Sequence, residues 1–177
     1  MKRILFLFLL LTSFSFGETQ KECLVKWYTS QLGVKELTNH NDGKEVEMYQ
    51  RSVGLPSNSK AAWCACFTSC GMSYCCIDNP KSALAVAYFN KKTIIWSNDD
   101  EDAGITPEQT DLGGIYFASL KGIHHIFFID EWEEGDEYCT TVEGNSNDTG
   151  SREGTTVVRH RRLKEQIRYV ARFIKSA

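Results

Sequence analysis

One change in hydrophobic period divides this chain and limits what it can fold into. As far as Tyr88 the apolar residues recur at helical spacing, whereas from Thr93 onward they gather in short β-branched and aromatic runs separated by turn residues. Leu24, Trp27, Tyr28 and Leu32 define a first helix. Asn41-Asp42-Gly43 interrupts the pattern and is expected to cap a second helix carrying Val46, Tyr49 and Val53. After a loop over residues 54–59, a third helix is expected to begin at Ala61 or Ala62, with Trp63, Phe67, Cys70 and Tyr74 as its apolar stripe. Asn79-Pro80 reads as a cap followed by proline at the first helical position, opening a short helix through Ala83, Leu84, Ala87 and Tyr88. Strands are then expected over residues 93–96, 115–118, 124–130, 138–143, 155–161 and 167–174, with an acidic, solvated loop over 98–111. Helices first and consecutive strands afterwards predict an α+β fold, N-terminal helices packed on an antiparallel β-sheet, and argue against alternating βαβ units.

The first residues indicate a compartment. Lys2 and Arg3, the apolar run from Ile4 to Leu11 and the Ser15-Phe16-Gly17 tripeptide read as a signal peptide over residues 1–17. That run is too short to span a bilayer and no later stretch competes with it, so the expectation is a secreted or periplasmic domain over residues 18–177, without an integral membrane segment. Removing Lys2 and Arg3 with the leader leaves 18 basic against 23 acidic side chains, a net charge of −5. This balance gives no reason to expect nucleic acid or anionic membranes as partners. All 7 cysteines follow the leader, which in an exported protein points to disulfides. Their odd number leaves at least one thiol over in a monomer. If that thiol is Cys64, the other six allow up to three bridges, although Cys66 and Cys70, one helical turn apart, should pair elsewhere or stay reduced.

The chemistry-bearing residues fall in the order that a cysteine hydrolase needs. Cys64, in Trp63-Cys64-Ala65-Cys66-Phe67, lies near the expected start of the third helix, where amide dipoles and a nearby imidazolium lower a thiol's pKa. His124 and His125 point to opposite faces of a strand, so at most one can meet that thiol. Glu133-Glu134-Gly135 suits a three-residue hairpin loop, its last position requiring the left-handed backbone that glycine tolerates. Trp132 then opposes Asp136, and counting back sets Glu143 opposite His125, within reach of an imidazole nitrogen. A bulge or another loop length moves this register. His125 is the expected base, Glu143 orients it, and Asn145 either supports the histidine or donates to an oxyanion beside the Cys64 amide. Each residue also has an ordinary explanation: a buried or disulfide-bonded cysteine, a satisfied strand histidine, the end of a strand.

Taken together, Asn41-Asp42-Gly43 with Val46 and Tyr49, Trp63-Cys64-Ala65 with Phe67, Gly114-Ile115-Tyr116, His125, Thr141-Val142-Glu143-Gly144-Asn145 and Gly150-Ser151-Arg152-Glu153-Gly154 resemble the CHAP domain, the cysteine, histidine-dependent amidohydrolases/peptidases. The resemblance implies a papain-like fold and, as substrate and partner, the peptide portion of bacterial peptidoglycan, cut by an N-acetylmuramoyl-L-alanine amidase or an endopeptidase. It also implies Cys64 as nucleophile, His125 as base, Glu143 as the orienting third member and Asn145 as an additional polar residue, with no cofactor and no metal. The sequence departs from the family at Phe127, where glycine is common, and in its extra cysteines.

Two other readings stand beside the hydrolase. A disulfide-stabilised wall-binding, inhibitory or immunity module would keep the fold without turnover. A zinc site is less consistent with the sequence, since Cys64-Ala65-Cys66 lacks the usual ligand gap and the paired histidines diverge. Arg159-His160-Arg161-Arg162 reads as a solvated strand end, with contact to an anionic wall polymer as the alternative.

Overall fold

The computed structural model describes residues 18–99, 104–147 and 154–175. The expected leader, residues 100–103 of the acidic loop and the Gly150-Ser151-Arg152-Glu153 segment lie outside the described residues. Three helices come first: α1 (Gln20–Ser30), α2 (Lys44–Ser52) and α3 (Cys64–Tyr74). Six strands follow, β1 (Ile94–Ser97), β2 (Leu112–Phe117), β3 (Gly122–Glu131), β4 (Tyr138–Ser146), β5 (Thr156–Leu163) and β6 (Tyr169–Ala171). They form one antiparallel sheet in the order β1-β6-β2-β3-β4-β5. The fold is therefore the expected α+β arrangement, and among the described residues no helix is long and apolar enough to cross a membrane.

Local chemistry explains where the helices start and stop. Thr19 and Glu22 form a reciprocal capping box at the head of α1. Leu24, Trp27 and Tyr28 then face inward, Tyr28 stacking on Phe128 and Trp27 packing on Phe67 of α3. For α2 the expected segment supplies the N-cap through its backbone, without a side-chain hydrogen bond. Gly43, at φ 111°, occupies the N-cap without a side chain to offer, and Asp42 instead accepts hydrogen bonds from the Thr38 backbone and hydroxyl and from Lys60. The third helix begins at Cys64, two or three residues later than the periodicity predicts, with Trp63 at its N-cap. Asn79-Pro80 opens no helix. The Asn79 amide bridges Ser69, Ser73, Ile77 and Lys81, tying the segment to α3, and only a 3-10 turn over Ala85–Tyr88 remains of the expected fourth helix.

The apolar run Ile126-Phe127-Phe128-Ile129 is completely buried because both faces of β3 are covered. Ile126 and Phe128 join the core under the helices, whereas Phe127 and Ile129 join Cys139, Ile167 and Val170 on the opposite face. Phe127 fits because Gly113 is its partner on β2: a Cβ there would meet the ring at 2.2 Å. The sheet separates Cys66 from Cys139, each in its own cluster, and of the possible bridges only Cys23–Cys75 is formed. It fastens α1 to the C-cap of α3. Cys64, Cys66, Cys70, Cys76 and Cys139 are free.

The hairpin between β3 and β4 differs from the sequence-based register. Its loop is longer, covering residues 132–137, and a bulge lies between Ile129 and Glu131. Phe128 pairs with Val142 and Ile129 with Thr141, two residues away from the expected alignment, so continuing the ladder sets Asn145 rather than Glu143 opposite His125. A slip of two preserves the side-chain faces, which keeps Glu143 on the side of His125 as a diagonal neighbour.

Close contact between α3 and β4 depends on Gly144, where a Cβ would lie 2.7 Å from the Phe67 Cβ and 2.8 Å from the Trp63 ring. Gly144→Ala should therefore destabilise the fold by about 1–3 kcal/mol through overpacking. The expected signature is a lower urea midpoint at an unchanged denaturant slope.

Candidate active site

The approach to Cys64 is held from three sides. The Trp63 indole donates to Glu36 Oε1 at 2.8 Å, and the second oxygen of Glu36 accepts the Asn41 backbone N–H at 2.9 Å. Gln50, buried on α2, donates to the carbonyls of Asn41 and Ala61 at 3.1 and 2.8 Å. The Asn41-Asp42-Gly43 segment thus anchors the chain that leads into α3 as well as holding the N-cap of α2. No side chain caps the N-terminus of α3, so its first-turn amides remain directed at the site.

His125 is the histidine turned inward, and His124 faces solvent. The His125 Nε2 meets Glu143 Oε2 at 2.8 Å; among the described residues Nδ1, the other ring nitrogen, has no hydrogen-bond partner, and the Cys64 thiol is directed at the His124 carbonyl oxygen 4.0 Å away. Glu143 is entirely buried and surrounded by donors. Thr141 and Ser146 hydroxyls reach it at 2.6 and 3.0 Å, while the Arg162 guanidinium takes both oxygens, Nε at 2.8 Å and Nη2 at 2.7 Å. Arg162 is itself buried and packs over the Phe127 ring. Arg162 is therefore no part of a solvated strand end. Arg159 pairs with Asp130, and Arg161 covers the Tyr138 ring.

These contacts determine the charges. Burial alone would push the His125 ring toward neutrality, but its interactions with Cys64 and Glu143 prevail and raise its pKa to about 9. Burial would raise the Cys64 thiol as well; His125 and the backbone amides of Ile126 and Ala65 overcome that effect and lower it. Glu143 follows the same pattern, its desolvation outweighed by His125 and then Arg162, so its carboxyl stays well below the usual range. All three shifts favour a thiolate beside an imidazolium, the latter held by a carboxylate.

Cys64 opens into a cleft of about 460 Å³ whose walls include Glu36, Asn41, Asn145, Leu84 and Val86. Asn145 reaches this wall because β4 bulges between Glu143 and Ser146 and because asparagine tolerates the φ of 57° found there. Among the described residues no hydrogen bond joins Asn145 to His125, so of its two expected roles only the cleft-facing one has a geometry. Phe127 does not line the cleft. Among the described residues no three His, Cys, Asp or Glu side chains are grouped as metal ligands. Sequence reasoning missed Arg162, and also Thr141 and Ser146. Arg162 faces the same side as Glu143 through its pairing with Cys139, a signal that becomes readable only once the β4–β5 register is known.

Cys64 should be alkylated with a midpoint below the ordinary thiol value of 9.0, and His125→Ala should move the midpoint upward, because burial persists after the counter-charge is lost. Peptide mass spectrometry of the Cys64 fragment across pH checks both. Glu143, depressed in the folded state, contributes stability that is fully present above its ordinary 4.5 and lost as pH falls toward its folded value. Urea midpoints should therefore drop below pH 4.5, and Glu143→Gln, less stable overall, should lack that component. No family model, curated protein or solved structure matches this chain.

Proposed function

We propose that this chain is a papain-like cysteine hydrolase of the CHAP type that cleaves amide bonds in the peptide part of bacterial peptidoglycan, as an N-acetylmuramoyl-L-alanine amidase or an endopeptidase. The observation carrying the reading is an unbridged Cys64 at a helix N-terminus whose thiol pKa, despite burial, is lowered by His125, a ring held on its Nε2 by Glu143. In this mechanism the Cys64 thiolate attacks the carbonyl carbon, the C–N bond breaks, and His125 delivers its proton to the departing amine. A water activated by His125 then hydrolyses the thioester and restores the thiolate. The Cys64 amide and Asn145, which borders the same cleft, are the proposed donors to the oxyanion. A secreted or periplasmic setting, inferred from residues 1–17, is supported by the Cys23–Cys75 bridge, since disulfides persist in oxidising compartments.

Purified protein incubated with isolated cell walls should release new amino groups and defined muropeptides. Cys64→Ala should reduce that release by about 10³-fold or more. No release by the unaltered protein, or equal release by both, would replace the hydrolase by the non-catalytic wall-binding module.

A further inference from the structure

We propose that Arg162 is a positioning residue that sets the protonation of Cys64 from a distance, through Glu143 and His125. This deepens the hydrolase reading and rests on it for its role in catalysis. The geometry is a row in which hydrogen bonds join Arg162, Glu143 and His125, with the Cys64 thiol acting on the same histidine; when ionised, the four alternate in sign. Their exposures are 4%, 0%, 1% and 4%, so water screens the row very little. Arg162 grips both oxygens of Glu143, and Glu143 grips Nε2 of His125. With all four groups charged, the row is neutral overall.

Removal of the guanidinium leaves the same row with one uncompensated negative charge in a buried site, a state that proteins relieve by taking up a proton. Of the two anions the thiolate has the higher ordinary pKa, so Cys64 takes it. The imidazolium then serves Glu143 alone and the nucleophile is lost as a thiol. Arg162 thus lets the row carry a second negative charge.

Other titratable groups face or flank the row. Cys139, opposite Arg162 on β4, is held neutral by burial with its thiol pushed up to about 11. Beside Cys64, burial pushes Cys66 up to about 12 and raises Tyr88 too. Lys164 follows β5 and acts on Cys139, and His160, the cross-strand partner of Thr141, lies on the same face of the sheet as Glu143 and Arg162. Thr141 and Ser146 give Glu143 hydrogen bonds without charge. Phe127 also acquires a purpose: its ring, seated in the space over Gly113, lies 5.2 Å beneath the guanidinium and holds it in place.

The test reads Cys64 alkylation by iodoacetamide against pH in the full chain, quantified on the Cys64 peptide, and needs no wall substrate. A protein that never cuts peptidoglycan can still pass, and a wall hydrolase can still fail. Arg162→Gln should raise the alkylation midpoint by about one pH unit or more. The double variant Arg162→Gln with Glu143→Gln, which removes both charges, should bring it back down. A folded Arg162→Gln protein, judged by near-UV circular dichroism, with an unmoved or lowered midpoint overturns the proposal. Should that variant fail to fold, Glu143→Gln is compared with the double variant, and the two differ in the charge at 162. Retained Arg162 should give the lower midpoint, and an equal or higher one overturns the proposal.

Discussion

The carboxylate of Glu143 is a full negative charge with no access to water, and the sheet around it is arranged to make that tolerable. Its donors come from three consecutive strands in space: His125 from β3, Thr141 and Ser146 from β4, Arg162 from β5. A buried charge deprived of its partners costs on the order of 3–5 kcal/mol, so strand alignment at this end of the sheet is specified by chemistry as well as by packing. The site is in this sense a part of the sheet. The polar cluster that would orient the base also fixes the relative positions of three strands.

Two glycines determine how closely the apolar layers can approach that cluster. Gly144 lets β4 press against Phe67 and Trp63, bringing the strand that carries Glu143 up to the helix that carries Cys64. Gly113 makes room on the opposite face for Phe127, which supports the guanidinium from below. Large aromatic side chains thus meet the polar row from both sides, and each depends on a position where even a methyl group would collide.

Much of this was legible in the sequence because it rests on local periodicity. Helical and strand periods gave the order of elements, the β-branched runs gave all six strands, and the alternation of His124 and His125 selected the buried ring. The Glu143–His125 contact was legible for a reason only partly right: a three-residue loop was assumed, the actual loop and bulge move the register by two, and side-chain parity absorbed the error. Features that depend on tertiary partners were not legible. Asn41-Asp42-Gly43 and Asn79-Pro80 look like helix caps, yet their side chains and backbone are engaged by Glu36, Lys60, Ser69 and Ser73. Arg162 looks like one of several solvated cations because nothing local distinguishes it from Arg159 and Arg161. The cysteines suggested as many as three bridges, but packing consigns Cys66 and Cys139 to opposite sides of a sheet.

The one disulfide and the free thiol of Cys64 stand at opposite ends of α3. Cys75 closes the C-terminal end of α3 and Cys64 opens its N-terminal end, so the bridge and the free sulfur are separated by the helix itself, about 16 Å at 1.5 Å per residue. A reductant that severs the bridge would remove the covalent tie between α1 and the far end of α3, and an oxidant that caps Cys64 would leave that tie untouched. Redox chemistry can therefore alter Cys64 without touching the bridge, or cut the bridge while Cys64 stays a free thiol.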